Sequence, residues 1–177
     1  YLTPPLIPEA REALLSAIND GRFLVNYVGH GASTQWAGEG VFKASDVAGL
    51  TNGARQPVIL AMTCYDGYFH YPTVGNQSTA EVVTRAENKG AIASWSPTGL
   101  GVATGHDYLN RAFFDAVFYD MDGKVTLGQA TTAGLLNLWS TGGNRDLIDT
   151  YTLFGDPATT LSVVPYRLRV YLPLVQR

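Results

Sequence analysis

The chain has 177 residues, 46% of them hydrophobic and 15% charged, enough for one compact domain with a real core. Its formal net charge of −3 comes without a block of like charges, which argues against nucleic acid or an anionic membrane surface as a main partner. A single cysteine, Cys64, excludes an internal disulfide and a multi-cysteine zinc site, and no apolar stretch approaches the ~20 residues that span a bilayer.

The chain starts at Tyr1-Leu-Thr-Pro-Pro, neither an initiator Met nor a signal peptide, which reads as a piece of something longer. Pro8 to Asn19 predicts a helix with proline near its first turn, ended by Asn19-Asp20-Gly21. An apolar run, 23–29, then predicts a buried strand. Residues 31–42, rich in Gly and Ser, read as a loop, and Ser45-Asp46 caps a short helix to Leu50. A second strand covers 58–63. The aromatic- and Gly-containing segment 65–77 reads as a loop on the substrate side, and Ser78/Thr79 open a helix to Lys89. Ala91 to Trp95 is a third buried strand, followed by a loop at Ser96-Pro-Thr-Gly-Leu-Gly101. Helices follow over 107–119 and 127–139 from apolar spacing, with Phe113, Phe114, Val117, Phe118, Leu135, Leu136 and Leu138 as core stripes. Phe154-Gly-Asp-Pro157 is a turn before a last short strand, 160–164. The alternating tail, 165–177, reads as an edge strand or a linker to a following domain. Strands alternating with helices predict an α/β fold, a mostly parallel sheet with helices on both faces.

Two of these strands each deliver one chemically useful residue to a carboxyl end. The run 23–29 leads into His30-Gly31, and the run 57–63 leads into Cys64. Sites in open α/β sheets form along that edge. A thiol attacks a carbonyl as thiolate, and a nearby imidazole can move the proton. His30 and Cys64 are therefore the candidate base and nucleophile. Gly31 lets the backbone pass close to a substrate, and the N–H groups of Gly31 and Cys64 are candidate oxyanion donors.

The blocks Asn26-Tyr-Val-Gly-His-Gly-Ala-Ser-Thr-Gln-Trp36, Ala61-Met-Thr-Cys-Tyr-Asp-Gly-Tyr-Phe69, Ser78-Thr-Ala-Glu-Val-Val83, Gly90-Ala-Ile-Ala-Ser-Trp95 and Leu153-Phe-Gly-Asp-Pro157 resemble the gingipain family of cysteine peptidases. The resemblance covers about 23–161. It departs at Thr63, where Ala or Gly is common before the cysteine, and the caspase pattern around the nucleophile is absent, which sets a caspase proper aside. It implies a caspase-like three-layer sandwich. It also implies a cysteine endopeptidase in which His30 and Cys64 hydrolyse peptide bonds through a thioester. Residues 1–164 would be the C-terminal, dyad-bearing subdomain of a larger peptidase domain, with an N-terminal subdomain of the same protein as partner. A protein or peptide substrate and a secreted or cell-surface location follow from the same resemblance. No cofactor is required by it, although calcium aids some relatives, and Asp120-Met-Asp-Gly123 loosely matches the start of a calcium loop.

Two other readings use the same residues. A transpeptidase or self-processing domain would share the dyad, with an amine in place of water. A non-catalytic module of a large surface protein would keep only the fold. Trp95 and Ser94, at the predicted end of the third strand, are candidates for the pocket that holds the residue before the cut. Asp66 is read either as turn chemistry or as a bias of that pocket toward basic side chains. His70 and His106 are read as loop or surface histidines, His70 with a place at the cleft as its alternative. Trp36 is read as packing and Glu81 as structural. No metal site is expected.

Overall fold

A computed structural model describes residues 6–70, 77–120 and 124–163. Helix α1 (Leu6–Asn19) leads into strand β1 (Leu24–Val28). Three very short strands follow, β2 (Gly31–Ala32), β3 (Gln35–Trp36) and β4 (Phe42–Lys43), then a 3-10 helix, Ala44–Gly49. Strand β5 (Val58–Met62), helix α2 (Thr79–Arg85), strand β6 (Ala93–Pro97) and helix α3 (Ala103–Asp115) continue the alternation. A π-helical turn (Ala116–Asp120) extends α3. Strand β7 (Lys124–Thr126), helix α4 (Leu127–Ser140), helix α5 (Arg145–Thr150), strand β8 (Tyr151–Phe154) and strand β9 (Thr160–Ser162) complete the described chain.

The main sheet has the order β1-β5-β6-β8. β1, β5 and β6 are parallel and β8 is antiparallel to β6. Every residue of β5 is buried, as an apolar run in a strand covered on both faces requires. Its alternate side chains feed two cores. Val58, Leu60 and Met62 pack with Leu109 and Phe113 of α3, Leu127 and Leu138 of α4 and Leu147 of α5. Ile59 and Ala61 face the other way, toward Ile18 of α1, Val47 of the 3-10 helix and Val83 of α2. This period-two split produces the three layers predicted from the alternation.

α2 starts at a reciprocal cap. The Ser78 hydroxyl accepts from the Glu81 N–H at 3.3 Å, and the Ser78 N–H donates to the Glu81 carboxylate at 2.9 Å. Glu81 is thus a capping residue. α1 is held by Arg11, which pairs with Asp46 and donates to the Gly40 carbonyl.

Several boundaries differ from the sequence expectation. β6 runs two residues further than predicted, to Pro97, and α3 begins four residues earlier, at Ala103. β8 and α5 were not predicted, and the expected loop at 31–42 contains the β2–β3–β4 meander. The last strand does not join the main sheet but pairs with β7 in a separate ribbon. The tail 165–177 and the calcium-like residues 121–123 lie outside the described residues.

Candidate active site

β1 and β5 pair in the register Val28↔Met62. His30 and Cys64 each stand two residues beyond that last pair, so the two loops leave neighbouring strands side by side. The Gly29 N–H donates to the Met62 carbonyl at 3.2 Å and carries the ladder one step past the strands. A Cβ on Gly31 would collide with Oγ1 of Thr63 and stand 3.3 Å from the Cys64 carbonyl oxygen. Thr63 is fully buried and cannot yield. The threonine before the nucleophile, the departure noted in the sequence, thus fills the space that the Gly31 backbone leaves open.

The half-buried Cys64 opens a turn pinned to the loop after β6. The Tyr65 N–H donates to Gly99 O at 2.8 Å and the Gly67 N–H to Pro97 O at 2.9 Å. Tyr65 takes a left-handed backbone, φ 56°, a strained conformation for a bulky residue, directly after the sulfur-bearing residue. The Cys64 Sγ accepts the Gly101 N–H at 3.2 Å. A cavity of about 190 Å³ is lined by Val28, Gly29, His30, Met62, Cys64, Gly101, Ala103 and His106. His30 also lines a larger cavity of about 550 Å³ with Tyr27, Ala37, Gly38 and Glu39. It therefore forms the wall between a space that contains the thiol and one that does not.

The His30 main chain is held firmly. Its carbonyl accepts the Tyr27 hydroxyl at 2.6 Å and the Ala37 N–H at 2.7 Å. Tyr27 stacks flat on Trp36, with centroids 4.6 Å apart and planes 5° from parallel. The buried Trp36 donates from Nε1 to Oδ1 of Asp66 at 2.7 Å, and Ser96 donates its hydroxyl to Oδ2 at 2.7 Å. Burial pushes the Asp66 carboxyl up to about 6, although hydrogen bonds from Ser96, Trp36 and Thr79 pull it back.

Three expected pocket residues are corrected. Trp95 is 1% exposed and packs against Phe113 and Tyr151 in the core. Ser94 is 0% exposed, its hydroxyl 2.8 Å from that of Ser96. Asp66 is 1% exposed and turned inward to Trp36 and Ser96. None of the three lines the cavity. The cause is the two-residue shift of β6 to Ala93–Pro97, which puts Ser94 and Trp95 inside the strand and leaves Gly99 to Gly101 at the sheet edge.

A fourth correction brings a residue in. His106, expected in a loop or on the surface, is 5% exposed in the first turn of α3, with its ring edge-on to Tyr151 at 5.7 Å. A Cβ on Gly101 would collide with its Cε1 and Nε2, so the imidazole lies directly against the residue that donates to Cys64. Nε2 has no hydrogen-bond partner, and burial lowers the imidazole below the usual histidine range. The readable signal was a histidine nine residues past the end of β6, in the segment that follows the Gly99 to Gly101 loop. His70 is exposed, edge-on to Tyr68, and does not line the cavity. Among the described residues no group of three His, Cys, Asp or Glu side chains could hold a metal ion.

The model of peptidase family C25 matches residues 2–162. The chain belongs to peptidase family C25. Two relatives in this family are Gingipain R2 and Gingipain R1 of Porphyromonas gingivalis, each 30% identical over 172 residues. The matches cover 90% of this chain but 22% and 17% of those proteins, so the chain spans about a fifth of their length. Among solved structures, the complex of the pro- and mature domains of Porphyromonas gingivalis RgpB superposes with a TM-score of 0.77 at 27% identity, covering 88% of this chain and 38% of that one. The Arg specific cysteine proteinase gingipain R (RgpB) gives 0.73 at 28% identity, with 88% and 37% covered. A structure described as a protease, 22% identical, gives 0.76, and bears on the fold alone. The α/β sandwich is therefore the C25 fold, as the sequence blocks implied.

Proposed function

We propose that this chain carries the reactive half of a cysteine endopeptidase, with Cys64 as nucleophile and His30 as proton carrier. One observation supports this most: paired strands in a fixed register bring both residues to the wall of one cavity. In the reaction, the Cys64 thiol gives its proton to His30 and the sulfur bonds to the scissile carbonyl carbon, whose C=O π pair moves onto the oxygen. The N–H groups of Gly31 and Cys64 donate to the oxyanion. His30 delivers a proton to the departing amine as the C–N bond breaks, which leaves a thioester. Water then adds to the thioester carbon, giving up a proton through His30, and the thiol leaves to restore the enzyme.

Family membership supports the reaction class. The neighbour described as Arg specific makes an arginine side chain the first to test in the cavity beside Cys64. An N-terminal subdomain would complete the cleft, since the chain covers under two fifths of the solved neighbours' chains. A secreted or surface location is part of the same reading. No helix among the described residues is long and apolar enough to cross a membrane.

The test is covalent labelling with peptidyl electrophiles carrying Arg, Lys, Asn, Asp or Leu at the reacting position, read by intact mass and peptide mapping. Selective modification of Cys64 that drops at least tenfold in His30→Ala is expected. Slow labelling with no preference, equal in His30→Ala, would overturn the dyad.

A further inference from the structure

The buried carboxylate of Asp66 takes no direct part in the chemistry just described, yet it sits between the two loops that supply it. It lies two residues beyond Cys64, and its own carbonyl accepts the Ala80 N–H at 3.0 Å, which fixes the turn against the start of α2. Its side chain reaches the other loop. Oδ1 holds the Trp36 indole, Trp36 backs the Tyr27 ring, and the Tyr27 hydroxyl holds the His30 carbonyl. The sequence from the nucleophile turn to the base loop is thus carboxylate, indole, phenol, carbonyl, with each link in contact. Oδ2 meanwhile ties the turn to β6 through Ser96.

We infer that Asp66 is a positioning residue, locking the Cys64 turn to the His30 loop through Trp36 and Tyr27. This rests on the peptidase reading for its consequence, but not for its geometry. A carboxylate is an expensive choice at such a place, because burial penalises the charge and its partners, Ser96, Trp36 and Thr79, are all neutral. What the charge adds is strength: a hydrogen bond to an ionised acceptor is roughly twice as strong as a neutral one. An amide of the same shape would accept from Trp36 more weakly. The other titratable groups facing it are Tyr27 from β1 and Tyr151 from β8, with Cys64 in its own turn. β3 and β6 present only Trp36, Ser94 and Ser96, and α2 presents Thr79, with Glu81 engaged by Ser78. Among the described residues no cation holds the carboxylate ionised, so mild acid weakens the lock.

The experiment has two readouts. The first is the Trp36 indole N–H resonance, assigned by its loss in Trp36→Phe. It should titrate with a midpoint of about 6, and Asp66→Asn should abolish that titration. The second is the rate of Cys64 labelling against pH. At pH 7.5 Asp66→Asn should label roughly three- to tenfold more slowly than the parent, the two converging below about pH 5, where both side chains are neutral. An indole resonance that ignores pH, or a parent-to-variant labelling ratio constant from pH 5 to 7.5, would overturn the inference. If the parent protein does not label at Cys64 at all, the peptidase reading fails, and the indole titration still decides whether the lock exists.

Discussion

Asp66→Asn should make the protein more stable at neutral pH. The carboxyl rises from 3.8 to about 6 in the folded protein. Between those values the folded state holds a proton that the unfolded state has released, so stability is greatest below 3.8 and falls as pH climbs through 6. Each pH unit of displacement is worth about 1.4 kcal/mol. The full cost of ionising Asp66 therefore approaches about 3 kcal/mol at pH 7.5, falls to about 1 kcal/mol at pH 4.5 and vanishes near pH 3. Solvent screening does not reduce this, because the side chain is 1% exposed. An amide escapes the cost and keeps a carbonyl for Trp36. Urea unfolding of both proteins at pH 4.5 and 7.5 measures the difference. Asn should be ahead by about 3 kcal/mol at the higher pH, roughly 6–12 °C in melting temperature for a chain of this size. A variant less stable than the parent at pH 7.5, or a gap that does not widen with pH, would refute this reasoning. Together with the slower labelling expected of the same variant, this would make Asp66 a site where stability is given up for geometry.

Two further outcomes follow from the cavity wall. Gly101→Ala places a methyl against the His106 ring and the Thr63 carbonyl, both buried. It should lose about 1–3 kcal/mol in urea titration and displace the N–H that reaches Cys64, slowing labelling at least tenfold. His106 is the converse of Asp66. Burial lowers its affinity for a proton, so its contribution is intact above the ordinary histidine value of 6.5 and lost as pH falls below it. The parent should therefore lose stability relative to His106→Gln between pH 7.5 and 5 in paired thermal melts, and parallel curves would remove His106 from the account.

The parts of this molecule legible in its sequence are those with a strong local pattern. β5 is an uninterrupted apolar run, and burial on both faces is what such a run means. The residues at the ends of β1 and β5 could be named because a strand's end is visible where its apolar run stops. β6 misled because Ser96 and Pro97 look like the start of a loop, whereas pairing with β8 carries the strand through them. That pairing joins residues more than fifty positions apart and leaves no local trace. β8 itself contains Thr152 and follows a six-residue helix, too short to show a period. The strands of the β2–β3–β4 meander have two residues each, below what alternation can reveal. His106 was misplaced with the start of its helix. The bond between Trp36 and Asp66 spans thirty positions and could be seen only once both cores had formed around it.

The equal offset of His30 and Cys64 from the Val28↔Met62 pair bears on which length changes this chain can absorb. Between the two strands lies a crossover of nearly thirty residues, and loop closure depends only weakly on length. Insertions near Gly53 and Ala54, in the exposed turn before β5, would leave both strand ends where they are. One residue added inside 25–29 or 59–63 would instead turn every following side chain to the opposite face and slide one reactive group about 3.3 Å past the other. Among natural variants of this chain, lengths should therefore drift freely in the crossover and stay constant in two five-residue windows.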